Sequence, residues 1–429
     1  MRTIIQNFKQ LATNHDKKLA LSIIERGLES SLPYVALQKT VKQNYLQLGK
    51  KRLFFKKHDN VYVVAIGKSA DLMTKAVASL THVKGGIVVM PSRMHRMIDA
   101  SKFVIVRSSH PLPSGKSVIA AKKVINFLKS LDSTDFVMFL VSGGASSLLS
   151  LPDGISLNDK QITTDLLLKS GADIHEINCV RKHLSKIKGG QLLESLRCNA
   201  VSLVMSDVIG DDLSVIASGL TYCDKSTFPD AKKTLLKYNL KDRVPKSVWN
   251  RIVLGTMGKV PETPKKPKIE NYVISSNKDC IDAMKAHAEK LGVATKTIWP
   301  VNGHVKNAAA KISKIFPLRK NSCLIFGGET TVTVKGKGMG GRNQELVLYL
   351  LQKMQARNEK MIAISVGTDG VDGNTIAAGA IVDHTMPKEQ INKYLKNNNS
   401  YCYFKKYGGA IFTGPTHTNL MDIGLVLHK

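Results

Sequence analysis

Apolar positions along the chain follow two rhythms, and their alternation predicts most of the architecture. Ile4, Ile5, Phe8 and Leu11, then Leu19, Leu21, Ile23, Ile24 and Leu28, recur at helical spacing and predict helix across residues 3–47. A buried strand follows at Val61–Ile66, running through Gly67-Lys68-Ser69 into a helix over Asp71–Leu80. Short apolar runs at Ile87–Met90 and Phe103–Val106 read as two more strands, and Ser117–Leu131 as a helix. DFVMFLVSGGASSLL then repeats the order strand, glycine pair, helix. Helices are predicted over Leu157–Ser170 and Ile174–Leu196, and the strand in AVSLVMSDVIGDD ends in acids. Strands alternating with helices build an α/β domain around a largely parallel sheet. Such sheets bind ligands in the loops beyond their strand C-termini.

After Phe228 the pattern turns helical and then polar. Residues 261–268, PETPKKPK, are Pro-rich, charged and without periodicity, which marks a linker. NYVISSN, a helix to Leu291 and ATKTIWP open a second α/β unit, which continues through MIAISVGTDGVDG to IFTGPTHTNLMDIGLVL. With 429 residues the chain is long for one core, and two α/β domains are expected, residues 1–260 and 269–429.

Charge changes the picture less than its size implies. The net charge is +30, which would suit a nucleic-acid-binding surface. The lysines are spread over the whole chain and aromatic platforms are sparse, so nucleic acid is not the expected partner. Positive potential also serves a small substrate carrying carboxylate or phosphate. The six cysteines form no CxxC pair and most stand beside apolar residues, so reduced thiols in an intracellular compartment are expected. No apolar run approaches the roughly 20 residues of a membrane span. Met1 to His15 carries Arg2 and Lys9 and no acid, so a mitochondrial location stands as the alternative to the cytoplasm.

The candidate chemistry lies in glycine loops, cations and strand-end acids. Gly67-Lys68-Ser69 has P-loop placement, but Tyr62 stands where GxxxxGK[ST] needs glycine, and His110 fails the same test for Gly115-Lys116-Ser117. Lys68 remains a candidate point charge for phosphate or carboxylate. Ser142-Gly143-Gly144-Ala145-Ser146-Ser147 offers N–H groups and hydroxyls at a helix start, a generic anion cradle. Gly336, Gly338 and Gly341 match GxGxxG formally. The preceding Thr330–Val334 alternates polar and apolar, however, and no acid closes a strand about 20 residues on, so a phosphate loop is expected rather than a dinucleotide fingerprint. Arg342 at the start of the apolar helix Leu346–Met354 opposes the helix dipole and calls for an anion; Glu329 and Glu345 are its candidate structural partners. Asp207, with Asp211 and Asp212, and Asp369, with Asp372, end strands where Mg²⁺ or a general base would be needed. His110 and His417 fit loop-fixing or substrate contacts better than metal ligation. Together these features describe phosphoryl transfer, which asks mainly for positioning and charge neutralisation.

IGKSA, SSHPLPSGKS, VSGGASSLL, NCVRKHLSKIKGGQL, SDVIGDDLSVIASG, FGGETTVTVKGKGMGGRNQELVL, VGTDGVDGNTIAAGAIVD and GPTHTNLMDIG together resemble the glycerate kinase type-2 family, the MOFRL-domain proteins. The likeness runs from about residue 3 to residue 424. It implies a Rossmann-like N-terminal domain, a smaller C-terminal domain and a site in the cleft between them. It also implies ATP-dependent phosphorylation of D-glycerate with a divalent metal, 2-phosphoglycerate being the usual product and 3-phosphoglycerate the alternative. Carried over residue by residue, Lys68 and Arg342 are the first catalytic candidates. Asp207 serves as base or metal ligand and Asp369 as the alternative base. Binding candidates are Ser142, Gly143, Gly144, Ser146, Ser147, Asn178, Arg181, Lys188, Glu329, Gly338, Gly340, Gly341 and Glu345. The charge and the Lys388–Tyr407 stretch depart from the family pattern. An NAD(P)H-dependent hydroxypyruvate reductase is the runner-up function, and a homo-oligomer is left open.

Overall fold

The computed structural model describes residues 3–55, 60–94, 96–316, 319–357, 359–388 and 390–428. Arg2, part of the targeting argument, lies outside them. The chain forms two compact units, Leu37–Ile274 and a smaller one made of Met1–Ala36 with Ser275–Lys429.

The Leu37–Ile274 unit begins with an antiparallel hairpin, β1 (Tyr45–Leu48) and β2 (Lys51–Phe54). Its main sheet contains β3 (Val61–Ile66), β4 (Gly85–Pro91), β5 (Phe103–Ser108), β6 (Phe136–Val141), β7 (Asn199–Met205) and β8 (Glu270–Ser275), in the order β5-β4-β3-β6-β7-β8. The four ladders from β5 to β7 are parallel. β4 and β6 are buried at every residue, as expected of parallel strands covered on both faces. Val64, Ile66, Val89, Val137 and Phe139 form the centre of one core with Ala120, Ala121 and Val124 of the helix Gly115–Lys129. A second core joins the helices Leu157–Lys169, Ile174–His183, Phe228–Lys237 and Lys246–Thr256. The strand order is that of a doubly wound Rossmann-like sheet. It reverses between β3 and β6, and the crevice beyond the C-termini of those two strands is the ligand site such sheets offer.

The other unit carries a mixed sheet of β9 (Ala294–His304), β10 (Ser322–Thr331), β11 (Met361–Gly367), β12 (Gly379–Asp383), β13 (Ala410–Ile411) and β14 (Asp422–His428). Its order is β13-β12-β11-β14-β10-β9, with β9 and β10 parallel and the remaining ladders antiparallel. The helix His15–Ser30, started by the Asn14 side chain accepting from the Lys17 N–H, packs on β11, β14 and the helix Asn277–Lys290.

Four sequence expectations need correction. Helix does not run across residues 3–47: it stops at Thr40, and Gly49, at φ +62°, turns the β1–β2 hairpin. The boundary at residues 261–268 is displaced, because residues up to Ala36 fold with the C-terminal unit while β8 closes the N-terminal sheet. PETPKKPK is no free linker: Glu262 accepts from the Phe228 N–H at 2.7 Å, and the Pro264 carbonyl accepts from the Asp224 N–H at 2.9 Å. Ile174–Leu196 is not one helix; it ends at His183, and Gly189 and Gly190 at φ +63° and +84° redirect the chain into a short 3₁₀ turn. All six cysteines are free, and among the described residues no helix is long and apolar enough to cross a membrane.

Candidate functional site

Two loops leave the point where the sheet order reverses, and they are laced together. The Lys68 N–H donates to the Gly143 carbonyl at 2.9 Å, the Ser69 N–H to Ser142 Oγ at 3.0 Å, and the Ser142 N–H to the Ile66 carbonyl at 3.0 Å. Such an approach requires glycine at 67. The residue sits at φ +138°, and a Cβ there would lie 2.1 Å from Ser142 Oγ and 2.6 Å from the Ser142 carbonyl oxygen. Gly143 is needed for a different reason, since its Cβ would stand 2.1 Å from Asp207 Oδ2. At Gly144, φ +84°, a Cβ would meet His110 Cδ2 at 2.8 Å and Lys68 Cγ at 3.4 Å. The glycine pair therefore opens the space into which Lys68, His110 and Asp207 crowd.

Their electrostatics are coupled. Burial raises the Asp207 carboxyl above its ordinary range, and the Lys68 ammonium opposes that in part. Burial, then Lys68, pushes the His110 imidazole down, which favours its neutral form. The anion cradle is less than the sequence implies, because the helix after the glycines is a single turn, Ala145–Leu148, with little dipole to offer. Ser147 Oγ is spent on the Gly144 carbonyl at 3.0 Å, and the Ser146 carbonyl accepts from Lys188 Nζ at 2.8 Å.

Lys188 thus reaches this loop, and Arg181, whose charge acts on Lys188, is braced by Asn178. Asn178 Oδ1 accepts from Arg181 at 3.3 Å and from Ser218 Oγ at 3.0 Å. The neighbouring Lys182 is satisfied by Asp224 at 3.1 Å.

Asp207 also bears on the expected metal. Among the described residues no group of three His, Cys, Asp or Glu side chains converges. A lone half-buried carboxylate fits an ion that keeps its water and phosphate ligands and takes one or two protein oxygens, the habit of Mg²⁺, and does not fit a dedicated protein cage.

In the smaller unit the glycine cluster has a structural reason that overturns the phosphate-loop expectation. Its N–H groups from Lys335 to Gly340 are already taken. Asn398 Oδ1 accepts from Lys335 and Gly336 at 2.7 and 3.0 Å, and Asn397 Oδ1 from Lys337 at 3.2 Å. Asn399 Oδ1 accepts from Met339, and Asn374 Oδ1 from Gly340. The loop lies so close to residues 397–400 that a Cβ at Gly338 would be 2.4 Å from Asn399 Cβ, and one at Gly340 2.3 Å from Ser400 Oγ. Gly341 is likewise pressed on Asp372. Nor does the loop open a dinucleotide fold, since it follows β10 of the mixed sheet rather than the first strand of the parallel one. Gly327 and Gly328 lie inside β10 rather than at a strand end.

Arg342 has its anion within the protein. Its Nε and Nη2 donate to both oxygens of Asp422 at 2.6 and 2.9 Å, and its third nitrogen pairs with Glu329 at 3.0 Å. Burial alone would lower its pKa, but these carboxylates raise it. Glu345, proposed as a partner, instead accepts from Asn398 Nδ2 at 2.9 Å, and burial raises its pKa. The N-terminus of the helix Arg342–Ala356 is occupied by Asp372, whose oxygens accept from the N–H groups of Asn343 and Gln344 at 3.0 and 2.9 Å. Asp369 accepts from the Val371 N–H in a local turn, at 3.1 Å. The residues Asn374 and Asn397–Asn399 went unnoticed in the sequence, because only the fold brings them to the glycines.

Two family models match the chain: a domain of unknown function (DUF4147) over residues 19–253, and the MOFRL family over residues 322–422. The "Glycerate 2-kinase" of Pyrococcus horikoshii is 39% identical over 433 residues, spanning 96% of this chain and 97% of its own length. The "D-glycerate 2-kinase" of Thermotoga maritima is also 39% identical, over 96% of this chain and 98% of its own. A crystal structure of glycerate kinase from Thermotoga maritima overlays with a TM-score of 0.84 at 38% identity, covering 96% of this chain and 99% of that one. With both domain families matched in order and relatives aligned over nearly their whole length, the chain belongs to the glycerate kinase type-2 family of phosphotransferases.

Proposed function

We propose that the chain transfers the γ-phosphoryl group of ATP to D-glycerate, giving 2-phosphoglycerate, at the crevice beyond β3 and β6. The observation that carries this reading is the convergence of Lys68, the Gly143–Gly144 turn and Asp207 where the sheet order reverses, in a chain whose relatives are named for glycerate phosphorylation. Lys68 supplies positive charge to the transferring phosphoryl oxygens, and the Gly143–Gly144 turn leaves room for them. Asp207 takes the proton of the attacking 2-hydroxyl as the hydroxyl oxygen bonds to phosphorus and ADP departs; its raised pKa makes it a stronger base than an ordinary carboxylate. A Mg²⁺ ion, when bound beside Asp207, would neutralise charge on the ATP phosphates. The resemblance also carries Arg342 over as a second catalytic cation, for the glycerate carboxylate or for the transferring phosphoryl group. In this reading Arg342 acts while held by Asp422 and Glu329, as an oriented donor rather than an unpaired cation. The cytoplasm is the compartment the reading assumes.

The test is a pair of coupled assays on the purified chain. D-Glycerate with ATP should produce ADP, whereas hydroxypyruvate with NADH or NADPH should not consume the nicotinamide. Nicotinamide oxidation without ADP formation would instead establish the reductase reading.

Asp207 adds a pH signature. Only its ionised form accepts the proton, and burial has raised its pKa. The rate should therefore fall on the acid side at a pH above the ordinary carboxylate range. Asp207→Asn should remove that limb along with most of the turnover. A wild-type limb at the usual Asp value would argue against Asp207 as the base.

A further inference from the structure

Beside the loop after β6, Lys160 and Lys188 are buried without a matching acid, and the partly buried Arg181 acts on both. Lys188 is fully buried, with its ammonium on the Ser146 carbonyl. Lys160 is 5% exposed, and among the described residues its Nζ has no hydrogen-bond partner. The charges acting on Lys188 are Arg181, Lys160 and Lys182, all positive, and Arg181 is the charge acting on Lys160. The acid nearby, Asp224, is spent: it takes Lys182 at 3.1 Å, Ser226 Oγ at 2.8 Å and Thr263 Oγ1 at 3.2 Å. An ammonium removed from water with nothing to accept its protons is costly. A chain that keeps one such group beside two further cations without a matching acid has a use for their charge.

We propose that Lys160, Arg181 and Lys188 form the seat of a phosphate dianion, with Lys160 donating to it through the ammonium that has no protein partner. A phosphate matches the donors better than a carboxylate does. Three oxygens are available to an ammonium, a guanidinium and a second ammonium, and two charges answer three cations. The backbone explains how the seat is held. Gly189 and Gly190 donate their N–H groups to the Ser218 and Gly219 carbonyls at 3.1 and 2.7 Å, which tucks Lys188 under the 142–147 loop. Ser218 in turn holds Asn178, and Asn178 holds Arg181. Lys160 reaches the group from the buried face of the helix Leu157–Lys169, which it shares with Thr163 and Leu167. Burial and Arg181 push the Lys160 ammonium down to about 7, a strain that an arriving dianion would relieve.

The inference deepens the proposed kinase reading by giving one phosphoryl group a resting place next to the transfer site. It leaves open whether that group belongs to the nucleotide or to the phosphorylated acid, and the experiment separates the two. Inorganic phosphate, ATP and 2-phosphoglycerate are titrated calorimetrically into the wild-type chain, Lys160→Met and Lys160→Arg, with thermal unfolding measured alongside. The methionine variant should unfold no earlier than wild type without ligand, because it removes an unmatched charge. It should bind inorganic phosphate and one of the two organic phosphates at least tenfold more weakly, and the arginine variant should recover part of the loss. Weakening of ATP alone assigns the seat to the nucleotide, and weakening of 2-phosphoglycerate alone assigns it to the product. Unchanged affinity for all three probes in a folded Lys160→Met overturns the proposal. So does a methionine variant too unstable to titrate, if the arginine variant binds no phosphate either. Binding is read without turnover, so a chain that holds phosphate through Lys160 but does not phosphorylate glycerate would sink the kinase reading and leave the seat standing.

Discussion

Lys68→Met should reduce turnover of D-glycerate with ATP by on the order of 10²–10³ while leaving the fold intact. The loop geometry does not depend on the side chain. The ties that close β3 onto β6 run from the Lys68 and Ser69 N–H groups and the Ser142 N–H, and methionine preserves all of them along with most of the aliphatic stem. What disappears is a charge beside Asp207 and His110. Lys68 holds the Asp207 pKa down against burial, so its removal should move the acid limb of any residual activity to higher pH. His110 is pressed down by the same ammonium and should titrate higher in the variant. Near-normal turnover with an unmoved acid limb would mean that Lys68 only fills space at the corner.

Asp372→Ala should destabilise the smaller unit by about 3–5 kcal/mol, the usual cost of breaking a buried charged network. Asp372 is 1% exposed and accepts from two backbone N–H groups, from Asn343 Nδ2 at 3.3 Å and from Gln344 Nε2 at 3.0 Å. Asn343 also reaches Asp422 at 3.0 Å, the carboxylate that fixes Arg342, so the loss would spread to the arginine. Asparagine is no substitute, since one end of its amide would face donors with a donor. A pH signature accompanies the group. Burial outweighs the donated hydrogen bonds and pushes the Asp372 carboxyl up to about 6. A raised folded-state pKa contributes stability that is fullest below the ordinary Asp value and is lost as pH rises through about 6. Urea unfolding at several pH values should show that decline in the wild type and its absence in the alanine variant. Equal stability of the two proteins at neutral pH would mean that water replaces the carboxylate at the helix start.

The sheet that positions the site was legible because its strands are short, apolar and followed by punctuating glycines. Val61–Ile66 was placed to the residue, and the loops at Gly67 and Ser142 follow from it. The division of the chain was not legible. The helix His15–Ser30 is amphipathic, and nothing local says which of two sheets its apolar face will meet; only long-range packing on β11 and β14 decides it. The glycines at 336–341 misled for a related reason. Close approach of a phosphate and close approach of another stretch of backbone both require the missing Cβ, and the asparagines that fill the place lie some sixty residues on, in a stretch that reads as compositional background. Arg342 stands out in the sequence as a cation at a helix start, but Asp422, which meets it, is remote in sequence and sits in an apolar strand. Lys160 had a faint signal, a lysine on the helix face that also carries Thr163 and Leu167.

The central claim is phosphoryl transfer to glycerate at the corner held by Lys68 and Asp207. Phosphorus NMR of D-glycerate incubated with ATP and the purified chain, run beside Lys68→Met at equal concentration, addresses it most directly. The account expects a 2-phosphoglycerate resonance that grows with time in the wild type and is suppressed by two orders of magnitude or more in the variant. Absence of any phosphoglycerate with wild-type protein, or equal signals from the two proteins, would contradict it.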